Sequence, residues 1–122
     1  MKQPPYILVV DDDRQVARMT KRALEANGYE SVAISSGEAA LRMIEERRPD
    51  LLILDLNMPE PDGFDILKIK RSQFPNLRIL LISGYLHRAL VNFPKFFGAI
   101  GTLQKPFEAD ELVSEVRRLL GD

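Results

Sequence analysis

The stretch from Asp50 to Gly63, Asp-Leu-Leu-Ile-Leu-Asp-Leu-Asn-Met-Pro-Glu-Pro-Asp-Gly, constrains the fold more than any other part of the chain. Leu51 to Leu54 form a continuous apolar run with polar or turn residues on both sides. A run this short and uniform suits a strand buried on both faces, as in the middle of a parallel sheet. It delivers the chain to a carboxylate, Asp55, and then to a stiff turn, Met58-Pro59-Glu60-Pro61-Asp62-Gly63. Proline fixes φ and glycine tolerates φ > 0, so a loop of this composition is held rather than loose. In open α/β sheets the ligand lies beyond the carboxyl ends of the strands. Asp55 falls at that edge.

Similar signals recur along the chain. Tyr6 to Val10 reads as a first strand, stopped abruptly by Asp11-Asp12-Asp13. Val16, Met19, Thr20, Ala23 and Leu24 then recur at helical spacing, and Asn27-Gly28 supplies a stop. Glu30 to Ile34 reads as a short strand near an edge, because polar residues interrupt it. Ser35 and Glu38 have the spacing of a capping box, with Ser35 as N-cap. Ala40, Leu41 and Ile44 form the inner stripe of the second helix, and Ile66, Leu67 and Ile69 that of a third reaching towards Ser72. Leu77 to Ile82 reads as a buried strand ending at Ser83-Gly84, and Gly101 to Gln104 as a last strand ending at Lys105-Pro106. Between them, Tyr85 to Ile100 is poorly patterned and interrupted by Pro94. Leu112, Val113, Val116, Leu119 and Leu120 mark a final amphipathic helix. Strands alternating with helices imply one α/β domain over residues 1–122, a five-stranded parallel sheet covered on both faces.

Composition narrows the function. A chain of 122 residues suffices for one core, and 45% hydrophobic with 29% charged residues is ordinary for a soluble globular domain. A formal charge of −1 supplies no field that favours nucleic acid or an anionic membrane. With no cysteine there are no disulfides or thiolate metal sites. No apolar stretch approaches the ~20 residues needed to span a bilayer, and Tyr6 to Val10 is too short for a signal-peptide core. A cytoplasmic location is expected.

Four of the five strand ends carry polar groups: Asp11 and Asp12 (with Asp13), Asp55, Ser83 and Lys105. In a parallel sheet all carboxyl ends share one rim, so these groups can converge. Each has an ordinary explanation alone: a helix cap for the aspartates, turn formation for Asp55 and Ser83-Gly84, a solvated surface for Lys105. Those explanations do not account for the coincidence at four strand ends. Two carboxylates ~5 Å apart repel by roughly 3 kcal/mol at an effective dielectric of about 20. Three together call for a cation, and hard oxygen ligands select Mg²⁺ or a similar ion such as Mn²⁺.

These pieces resemble the receiver domain of bacterial two-component response regulators. The resemblance rests on Ile7-Leu8-Val9-Val10-Asp11-Asp12, Leu54-Asp55-Leu56-Asn57-Met58-Pro59, Asp62-Gly63, Ile82-Ser83-Gly84 and Lys105-Pro106-Phe107, and spans nearly the whole chain. It implies a flavodoxin-like doubly wound sheet of order 2-1-3-4-5 with five helices. It implies Asp55 as phosphoacceptor and Asp11, Asp12, Asp55 and the Asn57 carbonyl as metal ligands. Ser83 and Lys105 would contact the phosphoryl group, and the Lys105-Pro106 bond would be cis. The implied partners are a histidine kinase or phosphotransfer protein, and an output domain or a second copy docking on the fourth helix, fifth strand and fifth helix. The resemblance implies a signalling domain, not an enzyme with a separate substrate, and no direct contact with nucleic acid or membrane.

The chain departs from the family where Thr102 replaces the usual aromatic three residues before Lys105. Tyr85 is bulky at a position that influences phosphoryl lifetime, and Pro94 falls where the fourth helix would continue. Leu86, Leu90, Val91, Phe93, Phe96, Phe97 and Ile100 around it exceed one helix's inner stripe, so a ring left exposed there could dock a partner. His87, the only histidine, is read as a surface residue. Two alternatives remain open. A haloacid-dehalogenase-like phosphatase would use Asp11 of an Asp-x-Asp motif, although Gln15 departs from that pattern and Asp55 would be left without a role. A receiver-like interaction module would use the same fold without phosphate.

Overall fold

The computed structural model describes residues 3–58, 63–84 and 100–121. Five strands, β1 (Tyr6–Val10), β2 (Glu30–Ile34), β3 (Leu51–Asp55), β4 (Ile79–Ser83) and β5 (Ile100–Gln104), form one parallel sheet of order β2-β1-β3-β4-β5. Helices α1 (Arg14–Ala26), α2 (Gly37–Glu46) and α3 (Gly63–Gln73), and a C-terminal helix (Ala109–Leu120), connect and cover the strands. This is the flavodoxin-like order expected from the sequence. The fifth helix expected from the resemblance, the apolar segment around Pro94 with Tyr85, His87, Leu86, Leu90, Val91, Phe93, Phe96 and Phe97, and Pro59 to Asp62 of the expected turn lie outside the described residues.

The continuous apolar strands are explained by two cores. Successive side chains of a strand point to opposite faces, so a strand covered on both faces has no position for a polar residue. Leu8, Val10, Leu52, Leu54, Ile79 and Leu81 pack with Ala40, Ile44 and Ile66 of α2 and α3. Ile7, Val9, Leu51, Ile53, Leu80 and Ile82 pack on the other face with Leu24 of α1 and Leu112 and Val116 of the C-terminal helix. β2, at the edge, is the strand whose residues stay mostly half-buried, as its mixed sequence implies. β5, at the other edge, alternates: Leu103 is buried and Thr102 and Gln104 are exposed. Thr102 therefore presents its side chain at the surface, where the family's aromatic would stand.

Some boundaries differ from the sequence reading. Ser36, not Ser35, caps α2, its Oγ accepting from the Ala39 N–H at 3.2 Å. Glu38 is then too close to the cap to close a capping box. β4 begins at Ile79, because Leu77 is buried from the preceding turn, held by its N–H to the Phe74 carbonyl at 3.1 Å. β5 begins one residue early, at Ile100, which pairs with Ile79. The Asn27-Gly28 stop is as read: Asn27 is the C-cap of α1 and Gly28 takes the left-handed φ of 90° that favours glycine.

Candidate functional site

Parallel pairing aligns the carboxyl ends of β1, β3, β4 and β5 on one rim. β1 hands the chain to Asp11, β3 ends in Asp55, β4 ends in Ser83, and Lys105 directly follows β5. Two backbone bonds extend this alignment past the strands: Leu56 N–H to the Ile82 carbonyl at 3.0 Å and Lys105 N–H to the Ser83 carbonyl at 2.9 Å.

The three aspartates after β1 have separate tasks. Asp13 is the N-cap of α1, its Oδ1 accepting from the Gln15 and Val16 N–H groups at 3.0 and 3.3 Å. Asp11 points inward and is fully buried, with Oδ1 accepting from the Asp13 N–H at 2.9 Å. Asp12 stays exposed, yet offers an oxygen that lies with those of Asp11 and Asp55 inside 4.8 Å of one another. The capping explanation of the sequence thus applies to one aspartate of the three. Asp13→Ala should lower the free energy of unfolding by about 1 kcal/mol and leave divalent-cation affinity unchanged. Urea denaturation and calorimetric titration measure the two quantities, and a loss of cation affinity would move Asp13 into the acidic cluster.

Lys105 faces the acids. Its Nζ lies 3.0 Å from Asp11 Oδ2 and 3.5 Å from Asp55 Oδ2. Burial alone would lower the lysine pKa, but the bond to Asp11 and the charges of both carboxylates outweigh it and hold the ammonium above its ordinary value. At Asp11 the balance goes the other way. Loss of solvation raises its carboxyl to about 6, with the Asp55 charge adding to the rise, despite opposition from the Asp13 N–H and Lys105. Asp11 Oδ2 also has no aligned hydrogen bond among the described residues, although the ammonium is close: it is a buried oxygen held by charge. A crowded set of three carboxylates sharing the Lys105 ammonium fits a hard divalent cation.

Asn57 contributes more than the sequence indicated. Its backbone N–H donates to Asp55 Oδ1 at 3.1 Å, and its side-chain Nδ2 donates to Ser83 Oγ at 3.0 Å. Asp55 and Ser83 are both buried. The Asn57–Ser83 bond spans 26 residues, and no spacing rule reaches so far. The Lys105-Pro106 peptide is cis, as the resemblance implied.

A parallel five-stranded sheet of this order, with acids, a hydroxyl and a lysine gathered on its carboxyl rim, defines a flavodoxin-like fold with one polar site. Residues 7–117 match the family model described as the response regulator receiver domain, and the chain belongs to that family, the receiver domains of two-component signalling. It is 31% identical over 114 residues to sporulation initiation phosphotransferase F of Bacillus subtilis (strain 168), covering 93% of this chain and 92% of that protein. It is 38% identical over 114 residues to the response regulator MprA of Mycobacterium leprae (strain TN), covering 93% of this chain and 50% of that one. The chain therefore spans about half the length of the MprA relatives it matches. Among solved structures, the chemotaxis response regulator CheY4 of Vibrio cholerae superposes with a TM-score of 0.84 at 31% identity, over 95% of this chain and 98% of that one. Among the described residues no helix is long and apolar enough to cross a membrane.

Proposed function

We propose that this receiver domain accepts a phosphoryl group on Asp55 from a phosphohistidine of a histidine kinase or phosphotransfer protein, with Mg²⁺ (or Mn²⁺) bound at the acidic cluster. The observation that carries this reading is the convergence of Asp11, Asp12 and Asp55 on one side and Lys105 on the other, at the end of the central strand. A relative of matching length that is named a phosphotransferase supports it. In the transfer, a carboxylate oxygen of Asp55 forms the new P–O bond as the P–N bond to the donor imidazole breaks, and the electron pair leaves with the imidazole.

Such transfers ask the protein for alignment and charge neutralisation rather than covalent chemistry. Asn57 N–H holds the Asp55 carboxylate in one orientation. Lys105, already above its ordinary pKa, remains a full cation beside the incoming group. Ser83 supplies a hydroxyl donor from the neighbouring strand. Asp11, Asp12, Asp55 and the Asn57 carbonyl would hold the cation, whose part is to offset the repulsion between two anions. Asp13, needed by the hydrolase alternative as the second acid of its motif, is occupied as the cap of α1.

The test is mass spectrometry after incubation with acetyl phosphate. One phosphoryl group, roughly 80 Da, should appear with Mg²⁺ and not with EDTA. No gain under either condition would leave the phosphate-independent module as the reading. Asp12→Ala should weaken Mg²⁺ binding and slow labelling while leaving the fold intact or slightly stabilised, because an exposed carboxylate is removed from a like-charged pair. Unchanged Mg²⁺ affinity in calorimetry would take Asp12 out of the site.

A further inference from the structure

We infer that the outer face shared by α1 and the C-terminal helix is a self-association surface, on which a second copy of this chain packs about a two-fold axis running along the groove between the two helices. The inference does not rest on phosphorylation. The surface also differs from the one the resemblance assigns to a second copy, which uses the fourth helix and fifth strand.

Both helices start at the carboxyl rim, α1 after β1 and the C-terminal helix after β5, and they lie side by side on one face of the sheet. They therefore run in the same direction. The groove between them is shallow, with Met19 and Ala23 on one side and Ala109 and Val113 on the other. These side chains are apolar and mostly small, so another helix can come close.

Charge is distributed unevenly around that groove. On α1, Arg14, Arg18 and Arg22 recur every four residues and are all exposed. Like charges at this spacing repel on a helix, and Arg14 stands in a first turn that holds no acid, where the helix dipole disfavours a cation. Among the described residues none of the three makes an ion pair; that of Lys21 with Glu25 at 3.1 Å belongs to the far half of the helix. The C-terminal helix has the opposite polarity, with Asp110 and Glu111 exposed in its first turn and Arg117 in its last. Glu111 Oε1 is committed to the Glu108 N–H at 3.2 Å, whereas Asp110 borders the groove without a bond among the described residues.

An isologous interface needs both complementary halves on one face of one chain. This face has them, a basic half on α1 and an acidic half at the same height on the neighbouring helix. A partner of another kind would need only one of the two. An axis parallel to the helices lays α1 of each copy over the C-terminal helix of the other, with the rim ends aligned. Arg18 and Arg22 of each copy then face Asp110 of the other, and Glu25 faces Arg117. The two carboxyl rims open at the same end of the pair.

The test is sedimentation velocity of the wild-type chain over a concentration series at low ionic strength. The dimer fraction should grow with concentration and shrink in about 1 M salt, where charges more than ~3 Å apart are screened. Arg18→Glu and Asp110→Arg should each keep the wild-type circular dichroism and each weaken dimerisation about tenfold or more, because a two-fold interface then sets like charges together twice. An equimolar mixture of the two variants should recover the dimer, since both contacts again join opposite charges. A wild type that stays monomeric throughout would overturn the inference and leave the face to a different partner. Variants that dimerise as wild type does, a dimer indifferent to salt, or a mixture no better than its components would overturn it as well.

Discussion

Asp55→Asn should take up no phosphoryl group from acetyl phosphate or a phosphorylated kinase, while folding as wild type does. The loss should be complete, because an amide oxygen is a far weaker nucleophile than a carboxylate and the variant withdraws one of the three acids. The fold should survive for a local reason. Lys105 keeps its nearer partner, Asp11 at 3.0 Å, and an asparagine oxygen can still accept the Asn57 N–H. Intact-mass measurement and circular dichroism together separate loss of the acceptor from loss of structure. Persistent labelling of Asp55→Asn, abolished instead in Asp11→Asn, would transfer the role to Asp11 and revive the hydrolase alternative.

The second large effect concerns stability in the absence of metal. Asp11 has a folded-state pKa of about 6 against a reference of 3.8. Its proton is therefore held more tightly in the native state than in the unfolded chain. The associated stability is fully present below pH ~4 and is lost as pH rises through about 6. At 1.36 kcal/mol per unit the upper bound of this loss by pH 7 is about 3 kcal/mol, which screening by solvent and neighbouring charges reduces. In EDTA, wild-type unfolding free energy should fall over that window relative to Asp11→Asn, whose curve lacks the titration. Above pH 6 Asp11→Asn should be the more stable protein. The difference between the two profiles reports Asp11 together with its coupling to Asp55 and Lys105. Mg²⁺ should restore stability to wild type far more than to Asp11→Asn. Parallel urea-derived profiles for the two proteins would mean that Asp11 ionises with no cost of burial.

Much of this site was legible because a parallel sheet converts sequence order into spatial order. Tyr6–Val10 and Leu51–Leu54 are apolar at every position since both faces of β1 and β3 are covered, and each run ends where the chemistry begins. Lys105 and Ser83 could be placed on the rim for the same reason. Three things were not legible. The triplet of aspartates is chemically uniform, so the cap, the buried ligand candidate and the exposed one are distinguished only by where the backbone turns after β1. Ser35 and Ser36 are both competent caps, and the start of α2 rather than the position of Glu38 selects Ser36. Asn57 stands out in the sequence by the Met58-Pro59 that follows it, but nothing there signals its amide, whose partner is on another strand.

The crossing order of the sheet divides the work of the site along the chain. Every candidate cation ligand, Asp11, Asp12, Asp55 and Asn57, belongs to the first 57 residues, which build β1, β2 and β3. Both groups proposed to sense the phosphoryl group, Ser83 and Lys105, come from the later strands and are joined by the bond from the Lys105 N–H to the Ser83 carbonyl at 2.9 Å. In the proposed reaction, the earlier half would act as the writer and the later half as the reader. In that reaction a displacement of Ser83 would pull on the backbone of Lys105, so the two readers would respond together, at the β4–β5 edge of the sheet rather than the β2 edge opposite.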